Sequence, residues 1–119
     1  MIIAISSKGS DLDSLVDERF GRANYFIIYD TDTDRFEALD NNANAKSSQG
    51  VGVKAVELLS GKNIDLVISE NFGPQAFSAL ATADIKSALW SKGKVSEAIE
   101  LARNDKLEFC TQANVGGHW

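Results

Sequence analysis

The second half of the chain alternates between short apolar runs and longer segments with an apolar stripe at helical spacing. That alternation narrows the fold to an α/β sheet with crossover helices. Ile64–Ser69 and Ile85–Trp90 read as buried strands. Val51, Ala55, Leu58 and Leu59 share one helical face, with Gly61 as a stop. Ala76, Phe77 and Leu80 stripe a second helix whose first turn suits Pro74, and Val95, Ala98, Ile99 and Ala102 stripe a third. Right-handed crossovers make the strands between these helices parallel. Upstream, Met1–Ser6 reads as a buried strand, and Asp11–Phe20 as a loop with one turn of helix through Leu12, Leu15 and Val16. Tyr25–Tyr29 and Arg35–Leu39 read as a hairpin around an Asp/Thr turn. Asn41–Gln49 reads as a polar loop, and Thr111–Trp119 as an irregular tail. The expected product is a single α/β domain over residues 1–119, with a five-stranded mixed sheet and one antiparallel strand.

Composition removes several classes of function. A 44% hydrophobic and 24% charged chain is ordinary for a globular domain. No apolar run approaches the roughly 18 residues of a membrane helix, and the opening MIIAIS reads as a strand rather than a signal-peptide core. These readings place the protein in the cytoplasm with no membrane partner. A net charge of −5 opposes nucleic-acid binding, which needs a basic face. One Cys and one His exclude a four-ligand Cys/His zinc site or a four-cysteine iron–sulfur cluster within one chain. A metal must therefore use carboxylates, use very few protein ligands, or arrive as a complex that carries its own.

Ligands of open α/β sheets bind beyond the carboxyl ends of the parallel strands. Here those ends are Ser6-Ser7-Lys8-Gly9, Ser69-Glu70-Asn71-Phe72-Gly73 and Trp90-Ser91-Lys92-Gly93. Each contains a glycine, two carry a lysine, and two run directly into helices, whose first N–H groups favour anions. Turn-forming residues alone would also account for any one of these loops. Gly50-Val51-Gly52 lacks the rest of a phosphate-loop motif and reads as close packing of a helix start on the sheet. Phe20, Phe72 and Trp90 either wall a bulky ligand or fold inward as core. Catalytic signatures are missing: no G-x-S-x-G elbow is present, His118 is one residue from the end, and Cys110 has only Lys106 as a nearby base. The residues therefore describe an anion-binding protein rather than an enzyme.

Arg19-Phe20-Gly21-Arg22-Ala23-Asn24-Tyr25-Phe26 resembles the R-F-G-R-A-x-Y-F segment of the dinitrogenase iron–molybdenum cofactor-binding family. Asn71-Phe72-Gly73-Pro74-Gln75-Ala76-Phe77 resembles that family's N-x-G-x-x-A-F segment, and Gly93-Lys94-Val95-Ser96-Glu97-Ala98 resembles its G-T-V-x-E-A. The match spans nearly the whole chain. The resemblance implies a ribonuclease-H-like fold without nuclease activity, and storage or delivery of a metal–sulfide cluster. The cluster is of the iron–molybdenum type, or of the molybdenum–copper type held non-covalently in the orange-protein branch. A partner protein that receives the cluster is part of that implication. A preassembled polyanion with its own sulfides needs N–H donors, a few cations and an apolar wall. The expected cofactor site is thus Ser7, Lys8, Arg19, Phe20, Gly21, Arg22, Asn71, Phe72, Gly73, Trp90, Lys92 and Gly93, with Cys110 and His118 as candidate metal ligands. The alternative is a phosphate- or nucleotide-binding regulatory module on the same loops. Lys94 departs from the family Thr and sets a positive charge at a helix start.

Overall fold

A computed structural model describes residues 1–116. Strand β1 (Ile2–Ser7) is followed by the hairpin β2 (Tyr25–Asp30) and β3 (Phe36–Asp40). A short helix α1 (Asn42–Ala45) leads to α2 (Val51–Leu59), β4 (Leu66–Ser69), α3 (Pro74–Thr82), β5 (Lys86–Leu89), α4 (Val95–Arg103) and β6 (Glu108–Phe109). The sheet runs β3-β2-β1-β4-β5-β6. β1, β4 and β5 are parallel, while β2 and β6 run against their neighbours. The sheet thus has six strands, not the expected five. The sixth is a two-residue strand that pairs Phe109 with Ala88 and Glu108 with Leu89.

The central strands alternate between two cores. Ala4, Phe26, Ile28 and Val67 face α2 and α3, whereas Ile3, Ile5, Ile27 and Ile68 face α4. Three layers result, with helices on both faces of the sheet and β1 buried on both sides, as a parallel centre requires. Gly52, in the first turn of α2, lies against α3: a Cβ built there would stand 2.7 Å from the Ala76 Cβ. The Gly50-Val51-Gly52 stretch therefore serves close packing, against a neighbouring helix rather than the sheet.

Two local stretches differ from expectation. Asp11–Phe20 holds no helix, because its backbone is spent on other segments. Lys8 N–H donates to the Leu15 carbonyl, Val16 N–H to Gly93 and Asp17 N–H to Ser6. In the Asn41–Gln49 loop the short α1 forms, and buried Asn41 donates its amide to the Gly21 and Ala23 carbonyls at 3.0 and 2.8 Å. Among the described residues, no helix is long and apolar enough to cross a membrane.

Candidate functional site

Two motifs at the sheet's carboxyl end are laced together by their backbones. Asn71 N–H donates to the Glu18 carbonyl at 2.8 Å, and Phe20 N–H to the Asn71 carbonyl at 3.3 Å. Arg19 pairs with Asn71 as a parallel bridge. Below this seam the Phe20 and Phe72 rings stack at a centroid distance of 5.3 Å, and Phe26 meets Phe20 at 5.4 Å. All three rings are fully buried. Of the two readings, wall or core, Phe20 and Phe72 take the second and form a floor, because the small domain needs their area in its core.

The starts of α2 and α3 meet above that floor, at the Gly52–Ala76 approach. Neither start has a side-chain cap: Gly50 precedes α2, and Gly73 precedes α3 with Pro74 at its first position. Among the described residues, the N–H groups of Val51, Gly52 and Val53 have no hydrogen-bond partner, nor do those of Gly73, Gln75 and Ala76. Each helix start carries roughly half a positive charge from its aligned peptide dipoles. Two such ends side by side make a donor set suited to an anion. The Asn71 side chain, half-buried beside them, also lacks a described partner.

Arginines position this mouth. Arg22 Nη1 donates to the Ala45 and Ser47 carbonyls at 3.1 and 3.2 Å, anchoring the loop that enters α2. Arg19 donates Nε and Nη2 to the fully buried Asp17 carboxylate, each at 3.2 Å. That hydrogen bond raises the Arg19 pKa above the ordinary guanidinium value, partly opposed by burial. The Asp17 carbonyl is in turn clamped by the Ser6 and Ser69 hydroxyls at 2.6 and 3.2 Å.

The α4 side of the mouth is closed. Val95 and Ser96 N–H donate to the Ser14 and Leu12 carbonyls, both at 2.9 Å, so this helix start has spent its donors. Glu97 accepts the Lys94 N–H at 2.9 Å, half of a capping box, and Lys94 has no acceptor to supply the other half. Gly93 makes room for that carboxylate, since a Cβ there would stand 2.4 Å from Glu97 Oε1. Ser7 turns its hydroxyl to the Gly9 carbonyl at 2.7 Å. Half-buried Trp90 packs on the α4 side of the sheet. Exposed Lys8 and Lys92 have no described side-chain partner.

The first 105 residues match the family model described as dinitrogenase iron–molybdenum cofactor. The chain belongs to this family. The apo orange protein of Desulfovibrio gigas superposes with a TM-score of 0.92 at 32% identity, covering 96% of each chain. A Thermotoga protein described as NifB-like and of the DUF35 family superposes at 0.85 with 38% identity, covering 98% of each. An uncharacterized protein of Methanocaldococcus jannaschii is 27% identical over 92 residues, 75% of this chain and 77% of that one.

Against the family's segments, the structure sorts the expected site into two groups. Arg19, Gly21, Arg22, Asn71 and Gly73 gather at the paired starts of α2 and α3, with Phe20 and Phe72 beneath. Ser7, Lys8, Trp90, Lys92 and Gly93 lie toward the closed α4 side. Val51–Val53, Gln75 and Ala76 fall outside the expected site, because an unpaired backbone N–H leaves no side-chain signature in a sequence. Cys110 is in none of the strand-end loops: its N–H donates to the Ser87 carbonyl, its Sγ–H to Gln112, and burial pushes the thiol's pKa up. His118 lies outside the described residues. Among the described residues, no group of three His, Cys, Asp or Glu side chains is placed to hold a metal ion.

Proposed function

We propose that this protein stores or delivers an anionic metal–sulfide cluster, molybdenum–copper or iron–molybdenum in type, bound non-covalently across the starts of α2 and α3. The observation that carries this reading is the pair of uncapped helix ends with six open N–H donors. A bare cation would need side-chain ligands, and the described residues group none. A cluster that brings its own sulfides needs the opposite: N–H donors to its outer atoms, Arg19 and Arg22 at its flank, and little thiolate chemistry. Family membership and the likeness to the orange protein support the same cargo. The protein on this reading is a carrier rather than a catalyst, and a recipient protein takes the cluster from the open mouth.

The test is reconstitution. Apoprotein mixed with tetrathiomolybdate and copper should retain an intense visible chromophore through gel filtration. Loss of all colour on the column would contradict the proposal. Thermal stabilisation by inorganic phosphate or ATP, with none from the thiomolybdate–copper mixture, would instead assign the site to phosphate recognition.

A further inference from the structure

The opposite end of the sheet carries a groove of about 710 Å³ that the cluster reading does not use. Its apolar surface comes from Met1, Leu66, Ala102, Leu107 and Phe109, and Phe109 is 53% exposed. Its rim carries three carboxylates, Asp65, Asp84 and Asp105, against two ammonium groups: Lys86, which sits over the Phe109 ring at 5.8 Å, and the Met1 N-terminus, which is already paired with Asp32 at 3.5 Å.

Two of those carboxylates are set where local physics opposes them. α3 and α4 both end in Schellman turns: Ile85 N–H donates to Leu80 and Asp84 N–H to Ala81, while Lys106 N–H donates to Leu101 and Asp105 N–H to Ala102. The left-handed position of such a turn favours Gly, then Asn. Here it holds Asp84 at φ 59° and Asp105 at φ 52°. Each is strained for a residue with a Cβ, and each sets a negative charge on the negative end of a helix dipole. The last turn of α3 has no basic residue, and Arg103 of α4 is engaged by Tyr29 and Asp34. Strain and like-charge repulsion repeated at two helix ends that border one groove point to a function that uses the charge.

We infer that this groove docks a basic amphipathic segment of a partner protein, with its apolar side on Phe109 and Leu107 and its Lys or Arg side chains at Asp84 and Asp105. Charge complementarity selects that occupant over an acidic or neutral one. The position, at the far end of the sheet from the helix starts, lets a partner bind without covering the mouth.

The experiment titrates the full-length protein calorimetrically with a 14-residue helical peptide bearing Lys on one face and Leu on the other, and with its Glu-for-Lys counterpart. Binding of the Lys peptide alone is expected. Asp84→Asn with Asp105→Asn should weaken it about tenfold while raising Tm by roughly 2–5 °C, since the substitutions relieve strain and repulsion. Asp13→Asn with Glu57→Gln, the same change in net charge elsewhere, should alter neither. Phe109→Ala should weaken the peptide in the unsubstituted background. Equal weakening by the two charge pairs, binding of the Glu peptide, equal affinity for spermine (no apolar face), or a groove already filled by a second copy in sedimentation would each overturn the inference. Binding is read without the cluster, so failure here leaves the carrier reading standing, and the reverse.

Discussion

At the end of the sheet reached by Ser7 and Ser69, α2 and α3 begin with no side chain over their first N–H groups. At the other end, α3 and α4 finish in fully formed Schellman turns and then add a carboxylate to each. The first arrangement leaves positive dipole ends open to a ligand, and the second reinforces negative ones. Neither is what stability alone would select: a Ser or Asp N-cap at the starts is worth about 1 kcal/mol, and Gly at the ends would relieve backbone strain. The same chain caps the start of α4 with the Leu12 and Ser14 carbonyls. Uncapped helix starts are therefore a local property of the mouth and not a general habit of this fold.

The contrast can be broken most forcefully from beneath. Phe20→Ala removes a fully buried ring from the floor of the mouth and should cost about 3–5 kcal/mol by urea denaturation, with loss of the retained chromophore. A subtler break is Gly52→Ala, which drives a methyl into Ala76. It should cost about 1–3 kcal/mol, spread the two helix starts and reduce chromophore retention. Ala76→Gly in that background should restore both, because the volume returns to the partner helix.

Smaller effects sharpen the comparison. Asp34 is held below the ordinary carboxylate pKa by the Tyr29 hydroxyl and then by Arg103. A depressed folded-state pKa contributes stability above the unfolded value and loses it as pH falls through the depressed one. The unfolding midpoint should therefore drop less steeply on the acid side in Asp34→Asn than in the unsubstituted protein, with chromophore retention at neutral pH unchanged. Cys110→Ser should leave chromophore retention intact, since the thiol donates to the Gln112 carbonyl, outside the strand-end loops. Burial raises its pKa, so alkylation by iodoacetamide should run slower at neutral pH than for a free thiol and accelerate at a higher pH.

Much of this architecture was legible in the sequence. Ile64–Ser69 and Ile85–Trp90 contain β4 and β5, and the stripes at Val51–Leu59, Ala76–Leu80 and Val95–Ala102 locate α2, α3 and α4, because period and turn residues are local signals. β6 escaped because Glu108–Phe109 is too short to show alternation. The region Asp11–Phe20 misled because Leu12, Leu15 and Val16 have helical spacing, yet long-range bonds to Gly93 and Ser6 claim its backbone. In the site, Arg19, Arg22, Asn71 and Gly73 were visible as motif residues. For Phe20 and Phe72 the wall and core readings stayed equally open, and the closed start of α4 left no sign, since both depend on residues distant in sequence.

The most direct measurement of the central claim is an amide NMR map of the protein before and after loading with tetrathiomolybdate and copper. The account predicts the largest shifts at Val51–Val53 and at Gly73, Gln75 and Ala76. Shifts centred on Val95–Ala98 or on Cys110, with those six amides unmoved, would contradict it.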